Sequence, residues 1–159
     1  TTRNSISGGL LALIENPEEF AKLRENPILV NSLVPEIIRW QTPLTHMRRT
    51  TTKEVEVSGV TIPAGAKVVM WYLSGNRDEQ AIENPDQFIV DRKNPRHHLS
   101  FGFSIHRCVG NRLAEMQIRV LWEEILSRNL TFELAGEPQR TLSNVIHGIN
   151  TMPLRVTRP

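Results

Sequence analysis

The sequence predicts a mainly α-helical chain that carries small antiparallel β-sheets. Three observations point there. Apolar residues recur at helical spacing over 1–15, 28–41 and 111–128. They alternate in twos over 54–62, over 67–73 and in the tail. Between these regions lies 85–107, a stretch rich in Pro, Asn, Asp, Arg and His that follows neither period. Ordered loops of that length are usually functional.

The first helix is carried by Ile6, Leu10, Leu11, Leu13 and Ile14 and ends at Asn16-Pro17, because the residue before a proline is pushed out of the α region. Glu18–Glu25 reads as a short amphipathic helix with Phe20 and Leu23, stopped at Asn26-Pro27. Residues 28–41 form a longer helix on Ile28, Leu29, Leu33, Ile37 and Ile38, and it stops before Pro43. Pro35 lies inside it, where a missing N–H predicts a kink at a cost of about 3 kcal/mol. Glu54–Ser58 and Val60–Ile62 alternate on either side of Gly59, and Lys67–Leu73 follows the turn at Pro63-Ala64-Gly65. These three strands are expected to form one small sheet. A short helix is expected within 74–84. Asn111–Arg128 is the third long helix, with Leu113, Met116, Val120, Leu121 and Ile125 as its apolar positions. Short strands at 131–134 and 154–156 close the chain. The chain enters its first helical pattern with no preceding cap or loop, so it is expected to be the C-terminal part of a larger protein.

The 159 residues suffice for about one domain with a real core. A net charge of +2 is too mild to argue for nucleic acid, and the few aromatics are not interleaved with the basic residues. The apolar runs are too short to span a bilayer. One cysteine cannot form an internal disulfide, so a reducing, cytoplasmic setting is expected.

That cysteine, Cys108, sits in Phe101-Gly-Phe-Ser-Ile-His-Arg-Cys108-Val-Gly110, a glycine-flanked loop running into a helix. A thiol at such a terminus faces unpaired N–H groups and the positive end of the helix dipole, and both favour the thiolate. A lone thiolate is a nucleophile or a metal ligand. A zinc site needs about four ligands, and only His106-x-Cys108 is tight, with His97 and His98 further off. A Cys–His catalytic pair needs a base within hydrogen-bond reach, and no cysteine-hydrolase pattern surrounds Cys108. Glu36 and Arg39 alone would make a modest surface ion pair. Basic residues gather at Arg92, Lys93, Arg96, Arg107 and Arg112, a solvated surface on the simplest view.

In order along the chain stand Glu36-x-x-Arg39, Pro85-Asp-Gln-Phe88-Ile-Val-Asp-Arg92 and Phe101-Gly-x-x-x-His106-x-Cys108-x-Gly110. The set resembles the C-terminal part of the cytochrome P-450 fold, the haem-thiolate monooxygenases. The resemblance spans residues 1–159 as the C-terminal portion of a single domain. It is nearest to bacterial enzymes that hydroxylate medium-chain alkanes at the terminal carbon, through Thr1-Thr-Arg-Asn-Ser-Ile-Ser-Gly-Gly-Leu10, Glu36–Pro43, His46–Arg49, Val69–Tyr72 and His97–Phe101.

The resemblance implies haem b (iron protoporphyrin IX) with Cys108 as its axial ligand. Phe101 would pack on the sulfur side, and Gly110 would let the helix approach the porphyrin. Arg49 and His106 would hold the propionates, with Arg48 a weaker substitute for Arg49. Glu36, Arg39 and Arg92 would form a buried structural triad, and Thr1 would help deliver protons to bound O2. Leu44, Met47 and Ile146 would reach the substrate cavity. Lys93, Arg107 and Arg112 would help dock a ferredoxin fed by an NADH-dependent reductase. Alternatives are a fatty acid or terpene as substrate, or a haem-binding module with impaired oxygenase activity. The last rests on Ser104, which stands where the family has glycine. Pro35 is a second departure. The isolated chain is expected to be inactive.

Overall fold

The computed structural model describes residues 1–158. Three helices lead: α1 (Thr2–Glu15), α2 (Pro17–Glu25) and α3 (Val30–Gln41), with a 3-10 turn at Pro27–Leu29 before α3. The Asn16 side chain donates to the Ala12 carbonyl at 2.7 Å and closes α1. Pro17 then opens α2, where a missing N–H costs nothing. Acidic Glu18 and Glu19 begin α2, and Lys22 and Arg24 end it, in the order the helix dipole favours.

α1 and α3 pack closely because α1 carries Gly8 and Gly9. A Cβ on Gly8 would lie 1.9 Å from Gln41 Oε1, and one on Gly9 would lie 2.6 Å from Ile37 Cδ1. α5 (Asn111–Ser127) joins them. Leu13, Leu23, Leu33, Ile37, Ile118 and Trp122 are fully buried between these helices. The Phe20 and Trp122 rings meet edge to face at 6.1 Å.

α3 is helical on both sides of Pro35, which lies inside it as the sequence places it. The carbonyl that Pro35 leaves without its helical donor belongs to Asn31, which is exposed to water. The buried stripe of α5 is Glu115, Ile118, Trp122 and Ile125. Leu113, Met116 and Val120 are exposed, because they occupy the opposite face of the helix. The expected three-stranded sheet is two separate pairs. β2 (Val55–Val57) and β3 (Val60–Ile62) form a hairpin whose turn residues, Ser58 and Gly59, both have positive φ. The third strand, β4 (Lys67–Trp71), pairs instead with β1 (His46–Thr50), from His46 opposite Trp71 to Thr50 opposite Lys67. β1 carries no alternation of apolar and polar residues, so its sequence hides it. The helix expected within 74–84 is a single turn, α4 (Tyr72–Gly75).

β5 (Thr131–Leu134) pairs antiparallel with β8 (Leu154–Thr157), and β6 (Gln139–Arg140) with β7 (Ile149–Thr151). The mainly helical architecture with small antiparallel sheets is therefore as the sequence predicts. Among the described residues, no helix is long and apolar enough to cross a membrane.

Candidate functional site

The stretch from Asn76 to Gly110 has no α-helix or strand of its own, so side chains must satisfy its backbone. Glu36 does much of this and is fully buried rather than on the surface. Its carboxylate accepts from Arg39 Nε and Nη2, each at 2.8 Å, from Arg92 Nε at 2.8 Å and from the Ile89 N–H at 2.9 Å. Burial pushes the Glu36 carboxyl up, but the bonds and charge of Arg39, then Arg92 and Ile89, hold it below its ordinary value. The spare guanidinium hydrogens go to loop carbonyls. Arg39 donates to Asn76, Pro85 and Gln87, and Arg92 to Glu83, Asn84 and Gln87. Ser32 and Glu19 take the carbonyl and the N–H of Val90. The long loop is thus fixed to α2 and α3.

The loop then reaches Phe101. The Cys108 N–H donates back to the Phe101 carbonyl at 2.8 Å, and Cys108 lies three residues before α5 begins. Gly102 between them has φ +71°, with the Tyr72 hydroxyl 3.4 Å from where a Cβ would be. Ser104 also has positive φ, +58°. It opens a 3-10 turn, Ser104–His106, that presents His106. A Cβ on Gly110 would meet only Cys108 Sγ, at 3.9 Å.

A cavity of about 450 Å³ opens here, and Cys108, Phe101, His106, Gly110, Arg49, Leu44, Met47 and Thr1 all line it. Thr1 precedes α1, is exposed and makes no side-chain capping bond. Arg48 is not in the wall and is exposed. Ile146, expected at the cavity, is also absent from the wall. An antiparallel bridge joins it to Leu44, and Leu44 faces the space. Lys93 lines a different groove, with Asp91 and Arg92. Arg107 is exposed beside Cys108. Arg112 is not a free cation: it and Arg96 both bond to Glu115, at 3.2 and 2.6 Å.

Sequence reasoning missed several polar residues here. Tyr72, Ser5 and Gln117 line the cavity. His98, weighed in the sequence only as a zinc ligand, is buried with its ring tilted against Phe101, the centroids 5.6 Å apart. Burial, then the nearby charge of Arg107, lowers its pKa to about 4. Asn76 is fully buried. The available signal was a polar triplet, Asn76-Arg77-Asp78, shortly after the apolar run that ends at Leu73.

The wall is mostly apolar, with one thiol and two basic side chains at it. That set suits a flat apolar macrocycle that needs one axial sulfur ligand and carries acidic substituents.

Comparison with known proteins agrees. Residues 1–155 match the family model described as Cytochrome P450. Linalool 8-monooxygenase of Pseudomonas putida is 42% identical over 152 residues, 96% of this chain and 37% of its own length. A methyl-branched lipid omega-hydroxylase of Mycobacterium bovis is 42% identical over 156 residues, 97% of this chain and 36% of its own length. The solved structure of cytochrome P450-153 from Novosphingobium aromaticivorans superposes with a TM-score of 0.94 at 47% identity, covering 98% of this chain and 40% of that one. The chain thus spans little more than a third of the curated relatives it matches. With the loop, the thiol and the cavity arranged in this way, the chain belongs to the cytochrome P450 family.

Proposed function

We propose that residues 1–159 form the C-terminal portion of one haem-thiolate monooxygenase domain. The enzyme would insert one oxygen atom of O2 into an unactivated C–H bond, with terminal hydroxylation of medium-chain alkanes as its reaction. The observation that carries this reading is the single cavity on which Cys108, Phe101, Arg49, His106, Leu44, Met47 and Thr1 converge.

Cys108 would ligate the iron of haem b, and Arg49 and His106 would hold its propionates. Thiolate-ligated haem, when bound, supplies reductive activation of O2. The Phe101 ring would shield the sulfur, and Gly110 leaves the space beside Sγ open. The Thr1 hydroxyl, with no capping bond to make, is available to pass a proton into the cavity. Leu44 and Met47 exclude water and orient an apolar chain, and Ile146 braces Leu44 through its bridge. Glu36, Arg39 and Arg92 set the loop and take no part in the chemistry. Electrons would come from a small acidic ferredoxin and its NADH-dependent reductase, docking near Arg107 and Arg112, with Lys93 at the margin. Complementary charge would speed that encounter.

A second reading is a terpene or fatty-acid substrate, supported by the linalool- and lipid-oxidising relatives. A haem-binding module with impaired oxygenase activity is a third, supported by positive φ at Ser104. The reduced carbon-monoxide spectrum of the full-length protein tests the haem-thiolate assignment: absence of a thiolate-type Soret band removes it. Product analysis with dodecane, laurate and limonene then separates the substrates. Terminal dodecanol supports the alkane reading, and hydroxylation of laurate or limonene alone overturns it.

A further inference from the structure

Asn76 follows the single turn of α4, far in sequence from the cavity thiol, and is fully buried. Every polar group it has is used. Its N–H donates to the Tyr72 carbonyl at 2.9 Å, and its own carbonyl accepts from Arg39 Nη1 at 2.9 Å. Its side-chain Nδ2 donates to Thr42 Oγ1 and to Ser100 Oγ, each at 2.8 Å. Its Oδ1 accepts the Leu99 N–H at 2.6 Å.

The orientation of the amide is dictated by chemistry. The Thr42 hydroxyl spends its hydrogen on the Arg39 carbonyl at 2.6 Å, and the Ser100 hydroxyl spends its own on the Ile38 carbonyl at 2.7 Å. Both oxygens therefore face Asn76 as acceptors, and only an NH2 group satisfies both.

These bonds lead to two parts of the cavity wall. Thr42 holds a left-handed conformation, φ +38°, at the end of α3, an unfavourable state for a β-branched residue. From it the chain departs through Pro43 and Leu44, both in the cavity wall. Leu99 and Ser100 lead directly to Phe101, whose carbonyl holds the Cys108 N–H.

We infer that Asn76 is a positioning residue: its one amide sets the Pro43–Leu44 wall and the Cys108 loop in register with each other. Its effect on haem and substrate rests on the proposed function. The joint itself does not.

The test uses the full-length, haem-loaded protein and Asn76→Ala. Amide hydrogen exchange is followed at Leu99 and Cys108 on the thiolate arm. On the other arm it is followed at Thr45, whose N–H is bonded to the Val145 carbonyl. Exchange on both arms is expected to rise about tenfold relative to the helical core, with loss of part of the thiolate-type carbonyl band. A uniform rise at all amides, core included, with an unchanged carbonyl band would make Asn76 an ordinary fold residue and overturn the inference. Should Asn76→Ala fail to fold, Asn76→Asp keeps the Leu99 acceptor but loses the donor to Thr42 and Ser100. It is expected to protect Leu99 while freeing Thr45; equal loss at both overturns the inference. A parent protein with no thiolate-type band would sink the haem reading alone, since the exchange comparison still tests the joint.

Discussion

The backbone N–H of Cys108 is bonded to the carbonyl of Phe101 at 2.8 Å. This bond closes the sulfur-bearing loop onto the segment that α3 and Asn76 hold. Ser104 lies inside the closed loop with φ +58°, where a Cβ is disfavoured by about 1 kcal/mol. Ser104→Gly should therefore stabilise the protein by up to about 1 kcal/mol, less whatever entropy the freer unfolded chain gains. Urea unfolding measures it, and haem retention should rise in parallel. A less stable variant would mean that the loop accepts the serine without strain.

Glu36 is the anion on which both Arg39 and Arg92 rest. Glu36→Gln leaves two buried guanidinium groups without their counter-charge and should destabilise by about 3–5 kcal/mol. Since the folded-state pKa is lowered from 4.5, the stabilising contribution of Glu36 is fully present above that value. It is lost as pH falls below it through the lowered folded value. Acid unfolding of the parent should be steep in this window and shallower in Glu36→Gln.

Much of this was legible in the sequence. The long helices declared themselves by period, and the cysteine loop by its glycines and its place before α5. The ion network was harder. Glu36 and Arg39 are an ordinary pair until the fold brings Arg92 onto the same carboxylate, and nothing local in 85–107 reports that. β1 was invisible because His46–Thr50 has no alternation to read; it is a strand because β4 offers a partner. Asn76 was missed for the same kind of reason: its role consists of bonds to residues distant in sequence.

Gly8 and Gly9 look equivalent but are not. A methyl at Gly8 meets the end of the Gln41 side chain, whereas one at Gly9 meets three carbons of fully buried Ile37. Gln41 can turn aside only by giving up its bond to the His147 carbonyl, and Ile37 is a branched side chain fully buried in the core. Gly9→Ala should cost about 1–3 kcal/mol through overpacking, and Gly8→Ala less. Thermal unfolding of the two variants checks the order; equal or inverted values would mean that α1 and α3 separate readily.

His98 gives the chain a second pH dependence, distinct from that of Glu36. It is buried against Phe101, and its Nδ1 has no partner among the described residues. Burial, then the charge of Arg107, lowers its pKa from 6.5 to about 4, with Glu115 acting weakly the other way. In this window the unfolded chain binds a proton that the folded chain refuses. Stability is therefore full above about pH 6.5 and falls as pH drops toward 4, where the folded ring at last titrates. The loss across the window is of order 3 kcal/mol at most. His98→Phe keeps the ring contact with Phe101 and removes the proton site, so its stability should be nearly flat between pH 6.5 and 5 while the parent declines. Parallel curves for the two proteins would show that the imidazole is solvated in the folded state.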